Sequence, residues 1–294
     1  MKKILIVGAS GMLGSKMVAL YSGHYEVVGT YATHPIENNN AYMLDVCDRV
    51  STAELLEKIS PDLVIDVHAI ADMEYCENNQ EEAWRVNVEG SKNLAECARN
   101  ANSKYILISS TDVFDGKLRK PYTENDEPNP INYYGVTKLA AENAVNGVFP
   151  DSIIARSALL FGEGGTRKSH FTGWLMQKLR EGKEVTVVTD QVTNITYVDH
   201  LADFVIRLYE SGAKGLFHTA GKDIVSKFQF AKKIATEFGL DGNLIAPTTT
   251  EKLNFHAKRP LWTGLDISKA EQVTGLKGMG LEEAIGRFRR NMGN

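Results

Sequence analysis

Tyr134 and Lys138 are separated by three residues in a segment that is typical of a helix, so both side chains should project from one face. A tyrosine phenol has an unperturbed pKa of about 10 and is a slow acid or base near neutral pH. A nearby ammonium group lowers that pKa because it stabilises the phenolate. The pair therefore predicts proton transfer at an oxygen atom. A half-buried tyrosine beside a solvated lysine is the alternative for the pair taken alone.

Hydroxyl side chains stand at the end of an apolar run upstream of this pair. Residues 105–109 have the composition of a buried strand, and Ser109 and Ser110 lie at its carboxyl end. A hydroxyl at that position would donate a second hydrogen bond to a carbonyl oxygen held by Tyr134. The two segments together predict a site for a carbonyl group.

A glycine-rich turn near the start of the chain supplies the third element. Residues 3–8 predict a strand, Gly8, Gly11 and Gly14 follow, and residues 12–21 predict a helix. This spacing permits a tight turn, and the start of the helix favours the negative charge of a pyrophosphate. The more familiar fingerprint begins Gly-x-Gly, so a glycine turn without a ligand is the alternative. In combination with the tyrosine–lysine pair, the turn predicts a nicotinamide-dependent enzyme that transfers a hydride at a carbonyl carbon.

The end of the second predicted strand bears on the choice of dinucleotide. An acidic side chain there would bind the adenosine ribose and repel a 2′-phosphate, but residues 29–34 contain none. Thr30 can donate a hydrogen bond to a phosphate, although the segment has no arginine to bind one. These residues favour NADP(H), with NAD(H) as the alternative. Asp45, after the third strand, is a candidate contact for the adenine end.

The composition is that of a globular protein without an excess of either charge. The 294 residues include 43% hydrophobic and 24% charged residues, and the net charge is −4. These values argue against nucleic acid or a membrane surface as a partner, and no apolar run approaches the length of a membrane span. Cys47, Cys76 and Cys97 form no Cys-x-x-Cys pair, which fits a reducing cytoplasm. The histidines lack metal-ligand spacing, so no metal site is predicted.

Strand and helix patterns alternate through the first half of the chain. This alternation predicts an α/β fold with a Rossmann-like, doubly wound parallel sheet. Residues 1–160 are expected to form the NAD(P)-binding domain, and later segments near 184–220 are expected to return to it. Residues 161–183 and 221–294 are assigned to a smaller α/β C-terminal lobe that binds substrate.

Several motifs together resemble the extended short-chain dehydrogenase/reductase superfamily and, within it, the dTDP-4-dehydrorhamnose reductase branch. The similarity extends over most of the chain. Its most specific segment is residues 128–139, Pro-Asn-Pro-Ile-Asn-Tyr-Tyr-Gly-Val-Thr-Lys-Leu, with further matches at 8–14, 68–77, 109–116 and 258–266. The resemblance implies NAD(P)H-dependent reduction of a 4-keto-sugar carried on a nucleoside diphosphate, and it leaves a homodimer open.

The resemblance also assigns roles residue by residue. The catalytic hydroxyl falls on Ser110 rather than Thr111, because Ser110 keeps the motif spacing without a gap. With it, Tyr134 and Lys138 form the catalytic set. The implied substrate contacts are Thr111, Asp112 and Arg259. The implied cofactor contacts are Gly8, Ser10, Gly11, Met12, Leu13, Thr30, Asp45, Val46, His68, Ala69, Ile70, Tyr134 and Lys138.

Other functions remain open at this point. A tryptophan that lies near the sugar in this branch is absent from residues 156–159, so the resemblance does not identify the sugar. An epimerase of the same superfamily would return the hydride to its substrate. A dehydratase is disfavoured because no Asp-Glu pair follows Ser110. A non-catalytic NADP-binding subunit, like the regulatory subunit of methionine adenosyltransferase, is the alternative from another class.

Overall fold

The structure is a computed structural model that describes residues 1–36, 40–165 and 170–293. Its strands are β1 Lys3–Val7, β2 Glu26–Tyr31, β3 Ala41–Met43, β4 Leu63–Asp66, β5 Lys104–Ser110, β6 Ile153–Ser157, β7 Leu159–Phe161, β8 Val185–Val188, β9 Val192–Tyr197, β10 Gly215–His218, β11 Ile224–Ser226 and β12 Ile245–Thr248. Seven of them form one parallel sheet in the order β10-β6-β5-β4-β1-β2-β3. The chain order reverses beside β1, as in doubly wound folds. The predicted α/β, Rossmann-like fold is confirmed.

The described residues form eleven α-helices, several of which cover the two faces of this sheet. They are α1 Met12–Tyr21, α2 Arg49–Ile59, α3 Met73–Asn78, α4 Gln80–Trp84, α5 Ser91–Asn100, α6 Tyr133–Val148, α7 Phe171–Arg180, α8 Val198–Glu210, α9 Lys227–Glu237, α10 Ser268–Thr274 and α11 Leu281–Met292. Alternate strand residues pack with α1 and α8 on one face, and the residues between them pack with α2, α5 and α6 on the other. Because both faces are covered, the central strands are apolar throughout rather than alternating.

The later segments form two small sheets. One has the order β11-β9-β7, and the other pairs β12 with β8. Within the segment 184–220, β10 lies at the edge of the seven-stranded sheet, whereas β8 pairs with β12. The division into a cofactor domain and a substrate lobe remains a proposal.

One predicted helix is interrupted. The pattern over residues 81–100 predicts a single long helix, but a π-helical turn, Arg85–Gly90, separates α4 from α5. Gly90 is needed within this turn, because a Cβ there would lie 2.5 Å from Val46 Cγ2. Such turns are frequent at functional sites. This turn places the carbonyl oxygen of Val86 within hydrogen-bonding distance of His68 Nε2.

Two further observations concern the described residues only. None of their helices is both long and apolar enough to cross a membrane. They also contain no group of three or more His, Cys, Asp or Glu side chains placed to hold a metal ion.

Candidate active site

The glycine turn between β1 and α1 has the geometry of a phosphate cradle. Gly8 has φ +92°, and a Cβ there would lie 2.9 Å from the backbone nitrogen of His68. A Cβ on Gly14 would lie 2.4 Å from the carbonyl oxygen of Gly8. Gly11 precedes α1 and has no side chain to cap it. The first-turn N–H groups of α1, including those of Met12 and Leu13, therefore suit an anion, and the residues present fit a dinucleotide pyrophosphate.

A second glycine segment covers the start of α1. The N–H of Gly165 donates to Ser15 Oγ at 2.8 Å, and a Cβ on Gly165 would lie 2.8 Å from the nitrogen of Met12. A Cβ on Gly164 would lie 2.6 Å from Ser15 Oγ. A larger residue than glycine would not fit at positions 164 and 165. The segment after β7 therefore lies directly beside the phosphate cradle.

No acidic side chain stands at the carboxyl end of β2, where the adenosine end of the predicted site lies. Thr30 is buried, and its carbonyl oxygen accepts from the N–H of Ala9 at 2.7 Å. The Thr30 backbone therefore ties β2 to the glycine turn. Asp45 is exposed, and its carboxylate accepts from the N–H of Cys47 at 3.0 Å. Val46 is buried against the π-helical turn.

His68 lies in a buried polar cluster that the sequence does not reveal. Its Nδ1 contacts Asp66 Oδ1, and its Nε2 contacts the carbonyl oxygen of Val86 at 3.0 Å. Asp66 also accepts from Tyr105 Oη at 2.6 Å and from Ser91 Oγ at 2.8 Å. Burial alone would lower the pKa of His68, but the Asp66 carboxylate outweighs burial and raises it. The cluster holds the His68 backbone against the glycine turn.

Ala69 and Ile70 continue from His68 toward the helix that carries the tyrosine. Ala69 is exposed. The N–H of Ile70 donates to Asn87 Oδ1 at 2.8 Å, and Asn87 Nδ2 donates to Thr137 Oγ1 at 3.0 Å. The π-helical turn therefore connects the β4 loop directly to α6.

Helix α6 positions three ionisable side chains one turn apart. They are Tyr134, Lys138 and Glu142. Asn132 caps the helix by accepting from the N–H of Gly135 at 2.8 Å. Lys138 is buried rather than solvated, and its Nζ donates to the carbonyl oxygen of Ile108 at 2.7 Å. Burial lowers the pKa of Lys138, although the Asp66 and Glu142 carboxylates oppose that shift.

The two candidate hydroxyls point to different partners. Ser110 ends β5, and its hydroxyl bonds to Asp112 and lies close enough to Tyr134 to oppose the rise in the pKa of that phenol. Thr111 Oγ1 instead donates to the carbonyl oxygen of Thr263 at 2.6 Å in a buried contact. This geometry favours Ser110 as the partner of Tyr134. The proposed substrate contact by the Thr111 side chain has no support here, because that hydroxyl is directed into the protein.

The pKa of Tyr134 is shifted in the direction opposite to the one expected from Lys138. Burial raises it, and the Asp112 carboxylate raises it further, while the hydrogen bond with Ser110 opposes the shift. Lys138 does not reverse this shift, and its ammonium group donates to the carbonyl oxygen of Ile108. The phenol therefore keeps its proton at neutral pH.

Cationic side chains from the later part of the chain approach Asp112. Lys227 begins α9, and its Nζ donates to Gln191 Oε1 at 2.6 Å. Arg259 Nη2 donates to Glu74 Oε1 at 2.7 Å, and its Nη1 is buried without a hydrogen-bond partner among the described residues. Both cations favour the ionised form of Asp112, but burial outweighs them and raises its pKa.

A buried ion pair lies beneath the helix face. Glu142 accepts from Arg156 Nε at 2.9 Å and from Arg156 Nη2 at 2.7 Å, and Ser109 Oγ donates to the same carboxylate. Arg156 also lies over the ring of Phe114, with its Cζ 5.1 Å from the ring centroid. This pair connects β5, α6 and β6 directly below Lys138.

The structure therefore brings most of the predicted residues to one edge of the sheet. The glycine turn, His68 and the Ser110–Tyr134–Lys138 set lie at the carboxyl ends of β1, β4 and β5. Sequence reasoning missed Asp66, Glu142 and Lys227. Asp66 carries a signal, since an acid at the end of an apolar strand is unusual. The sequence gives no such signal for Lys227, because Lys227 and Asp112 are far apart along the chain.

The chain is similar to proteins of known family along its whole length. Residues 1–293 match the family model described as RmlD substrate binding domain. A probable low-salt glycan biosynthesis reductase of Haloferax volcanii is 33% identical over 284 residues, which is 95% of each chain. The crystal structure of a dTDP-4-dehydrorhamnose reductase from Clostridium acetobutylicum is 31% identical, with a TM-score of 0.90 over 99% of this chain and 100% of that one. The same enzyme from Bacillus anthracis, solved in complex with NADP, is 27% identical with a TM-score of 0.89, over 99% and 100%.

Proposed function

Because the chain belongs to the RmlD substrate binding domain family, we propose that it is an NADPH-dependent reductase of a nucleoside-diphosphate 4-keto-sugar. The observation that supports this most directly is the protonated tyrosine beside a strand-end hydroxyl. Ser110 lies at the carboxyl end of β5, close enough to Tyr134 to affect the pKa of its phenol. Two hydroxyls at that position suit a carbonyl oxygen that becomes an alkoxide.

Each side chain has a distinct part in the proposed reaction. Tyr134 donates its proton to the developing alkoxide, and Ser110 donates a hydrogen bond to the same oxygen. Lys138 orients the nicotinamide ribose through its ammonium group. The dinucleotide, held by Gly8, Gly11 and the start of α1, supplies the hydride.

The choice of NADPH rests on the second strand and on one relative. Residues 29–34 lack the acid that would exclude a 2′-phosphate. The related Bacillus anthracis enzyme was solved with NADP. We therefore expect NADPH to support a higher kcat/KM than NADH.

The proposed substrate site lies between the sheet edge and the later segments. Lys227 and Arg259 present positive charge near Asp112, which suits the diphosphate or the sugar hydroxyls of the substrate. Glu74 fixes the guanidinium of Arg259 through a 2.7 Å hydrogen bond. We accordingly assign the small sheets and α9 to a substrate lobe and the seven-stranded sheet to the cofactor.

A cytoplasmic location is part of the proposal, because three free thiols fit a reducing compartment. Whether the enzyme is a monomer or a homodimer is measured by light scattering on the purified protein. Copurification with a stoichiometric partner would instead favour a regulatory subunit.

The decisive experiment measures NADPH and NADH oxidation with a panel of thymidine, uridine and guanosine diphosphate 4-keto-sugars. Turnover of at least one of them, with Tyr134→Phe losing about 10²–10⁴-fold in kcat, is the expected result. Tyr133→Phe is the matched control, because Tyr133 is the adjacent tyrosine on the same helix. Tight NADPH binding without turnover on any member of the panel would refute the reductase and favour a binding subunit.

A further inference from the structure

Asp112 is tied to the proposed catalytic hydroxyl in a way that reduction does not require. Its Oδ2 accepts from Ser110 Oγ at 2.9 Å, and its N–H donates to the same Oγ at 3.1 Å. The side chain is half-buried. Gly135 lies so close that a Cβ there would be 2.2 Å from the carbonyl oxygen of Asp112, so the backbone of the acid is fixed against α6.

No cation among the described residues is paired directly with the Asp112 carboxylate, so a proton can bind to it and leave it. Within the part of the chain that the structure describes, Asp112 forms no ion pair closer than 4.0 Å, whereas the neighbouring Asp115 pairs with Lys117 at 3.4 Å. Lys227 and Arg259 act on Asp112 only at longer range and are engaged by Gln191 and Glu74. Tyr134 already supplies the proton that reduction needs, so the carboxyl has no part in that step.

We propose that Asp112 removes and returns a proton at a carbon adjacent to the keto carbon, so that the enzyme exchanges the hydrogen at that carbon with solvent as well as reducing the ketone. The inference rests on the proposed function, since it needs a ketone at Ser110 and Tyr134. A carbonyl oxygen bonded to Ser110 would place its neighbouring carbons close to a carboxylate that contacts the same hydroxyl.

The step balances without any redox partner. The adjacent C–H bond breaks, its proton moves to the Asp112 carboxylate, and its electron pair forms a carbon–carbon double bond. The carbonyl π electrons move to the oxygen, which Ser110 and Tyr134 stabilise by the hydrogen bonds that serve reduction. Reversal returns a proton to the same face of the carbon, so the hydrogen exchanges with solvent without inversion of the centre. Burial raises the pKa of Asp112, which makes its carboxylate a stronger base for this transfer.

The test follows deuterium from solvent into the substrate. The enzyme is incubated in D2O with NADP⁺, which cannot reduce the ketone, and with a thymidine-diphosphate 4-keto-6-deoxyhexose. Mass spectrometry and proton NMR measure label at the carbons next to the carbonyl. We expect exchange at least about tenfold faster than without enzyme, and Asp112→Asn should lower the enzymatic rate by at least about tenfold. Asparagine keeps an oxygen that accepts from Ser110 but cannot take up the proton.

Matched variants separate a chemical role from a structural one. Asp115→Asn removes a carboxylate three residues away that contacts Asn129 rather than Ser110, and it should leave exchange at the wild-type rate. Thermal unfolding and NADPH titration report whether each variant folds, and Asp112→Ser is made in case Asp112→Asn does not. An exchange rate in the folded Asp112 variant equal to that of the wild type would overturn the inference.

The same samples distinguish this inference from the proposed function. NADPH oxidation without any label uptake in the wild type would overturn the proton exchange and leave the reductase intact. Label uptake without NADPH oxidation would overturn the reductase and leave the exchange. If neither occurs with any keto-sugar of the panel, both proposals are wrong.

Discussion

Replacing Glu142 with glutamine should destabilise the protein by about 3–5 kcal/mol, because it leaves the Arg156 cation buried without its counter-charge. The side chains of Arg156 and Glu142 are 3% and 5% exposed, and two hydrogen bonds of 2.9 and 2.7 Å join them. Arg156 Nη1 already has no partner among the described residues. A glutamine retains one acceptor oxygen, so the lower end of the range is expected.

The expected loss is large compared with the stability of a typical domain, which is about 5–15 kcal/mol. A loss of about 3 kcal/mol multiplies the unfolding constant by roughly 150, since each 1.4 kcal/mol is a factor of ten. Urea unfolding monitored by tryptophan fluorescence measures it, with the midpoint reduced and the slope unchanged.

Glu283→Gln is the matched control for this experiment. Glu283 pairs with Arg287 at 2.8 Å on the surface of α11, where the two side chains are 55% and 47% exposed. Exposed pairs at this spacing contribute about 0.3–0.5 kcal/mol. The double variant Glu142→Gln with Arg156→Met should recover part of the stability, because it removes the unpaired cation too. If Glu142→Gln costs no more than Glu283→Gln, the reasoning about the buried pair is wrong.

Three further predictions concern the proposed site. Ser110→Ala should lower kcat by about 10²–10³-fold in NADPH oxidation assays. Thr111→Val loses only its hydrogen bond to Thr263, so it should change kcat little and lower the free energy of unfolding in urea by about 1 kcal/mol. Gly14→Ala should raise the Kd for NADPH by at least about tenfold in fluorescence titrations, or about 1.4 kcal/mol, because its Cβ would lie 2.4 Å from the carbonyl oxygen of Gly8. The proton donor is present below the raised pKa of Tyr134 and lost above it. A profile of kcat against pH should therefore decline only above about pH 10, the ordinary tyrosine value, and a decline near neutral pH would contradict this assignment.

Local patterns were sufficient to predict the core of the candidate site. The Tyr134–Lys138 spacing depends only on the helix repeat, and the glycine turn depends only on the residues between one strand and one helix. The choice of Ser110 over Thr111 followed from motif spacing, and the geometry favours it because Thr111 bonds to Thr263. These features are readable because each is encoded within about ten consecutive residues.

The charges that surround the site could not be predicted in the same way. Lys227 approaches Asp112 only after α9 packs against the two small sheets. Asp66 meets His68 because the backbone turns after β4. In the π-helical turn before α5, Gly90 packs so close to Val46 that a Cβ would not fit, and these two positions are far apart in the chain. The sequence predicted that Lys138 would lower the pKa of Tyr134, whereas burial and the Asp112 carboxylate raise it. Both causes arise only when the chain packs, so the sequence does not show them.

The buried charges around α6 favour the neutral form of the Tyr134 phenol, which is the form that donates a proton during reduction. Oxidation of an alcohol needs a phenolate at Tyr134, but burial and the Asp112 carboxylate both favour the neutral phenol. Lys138 would have to come close to the phenol to reverse this, yet it is bonded to Ile108 and lies near the carboxylates of Asp66 and Glu142. Those two carboxylates support an ammonium group that burial disfavours. The resting protein therefore presents a protonated tyrosine to its substrate, which is the form that a reductase requires.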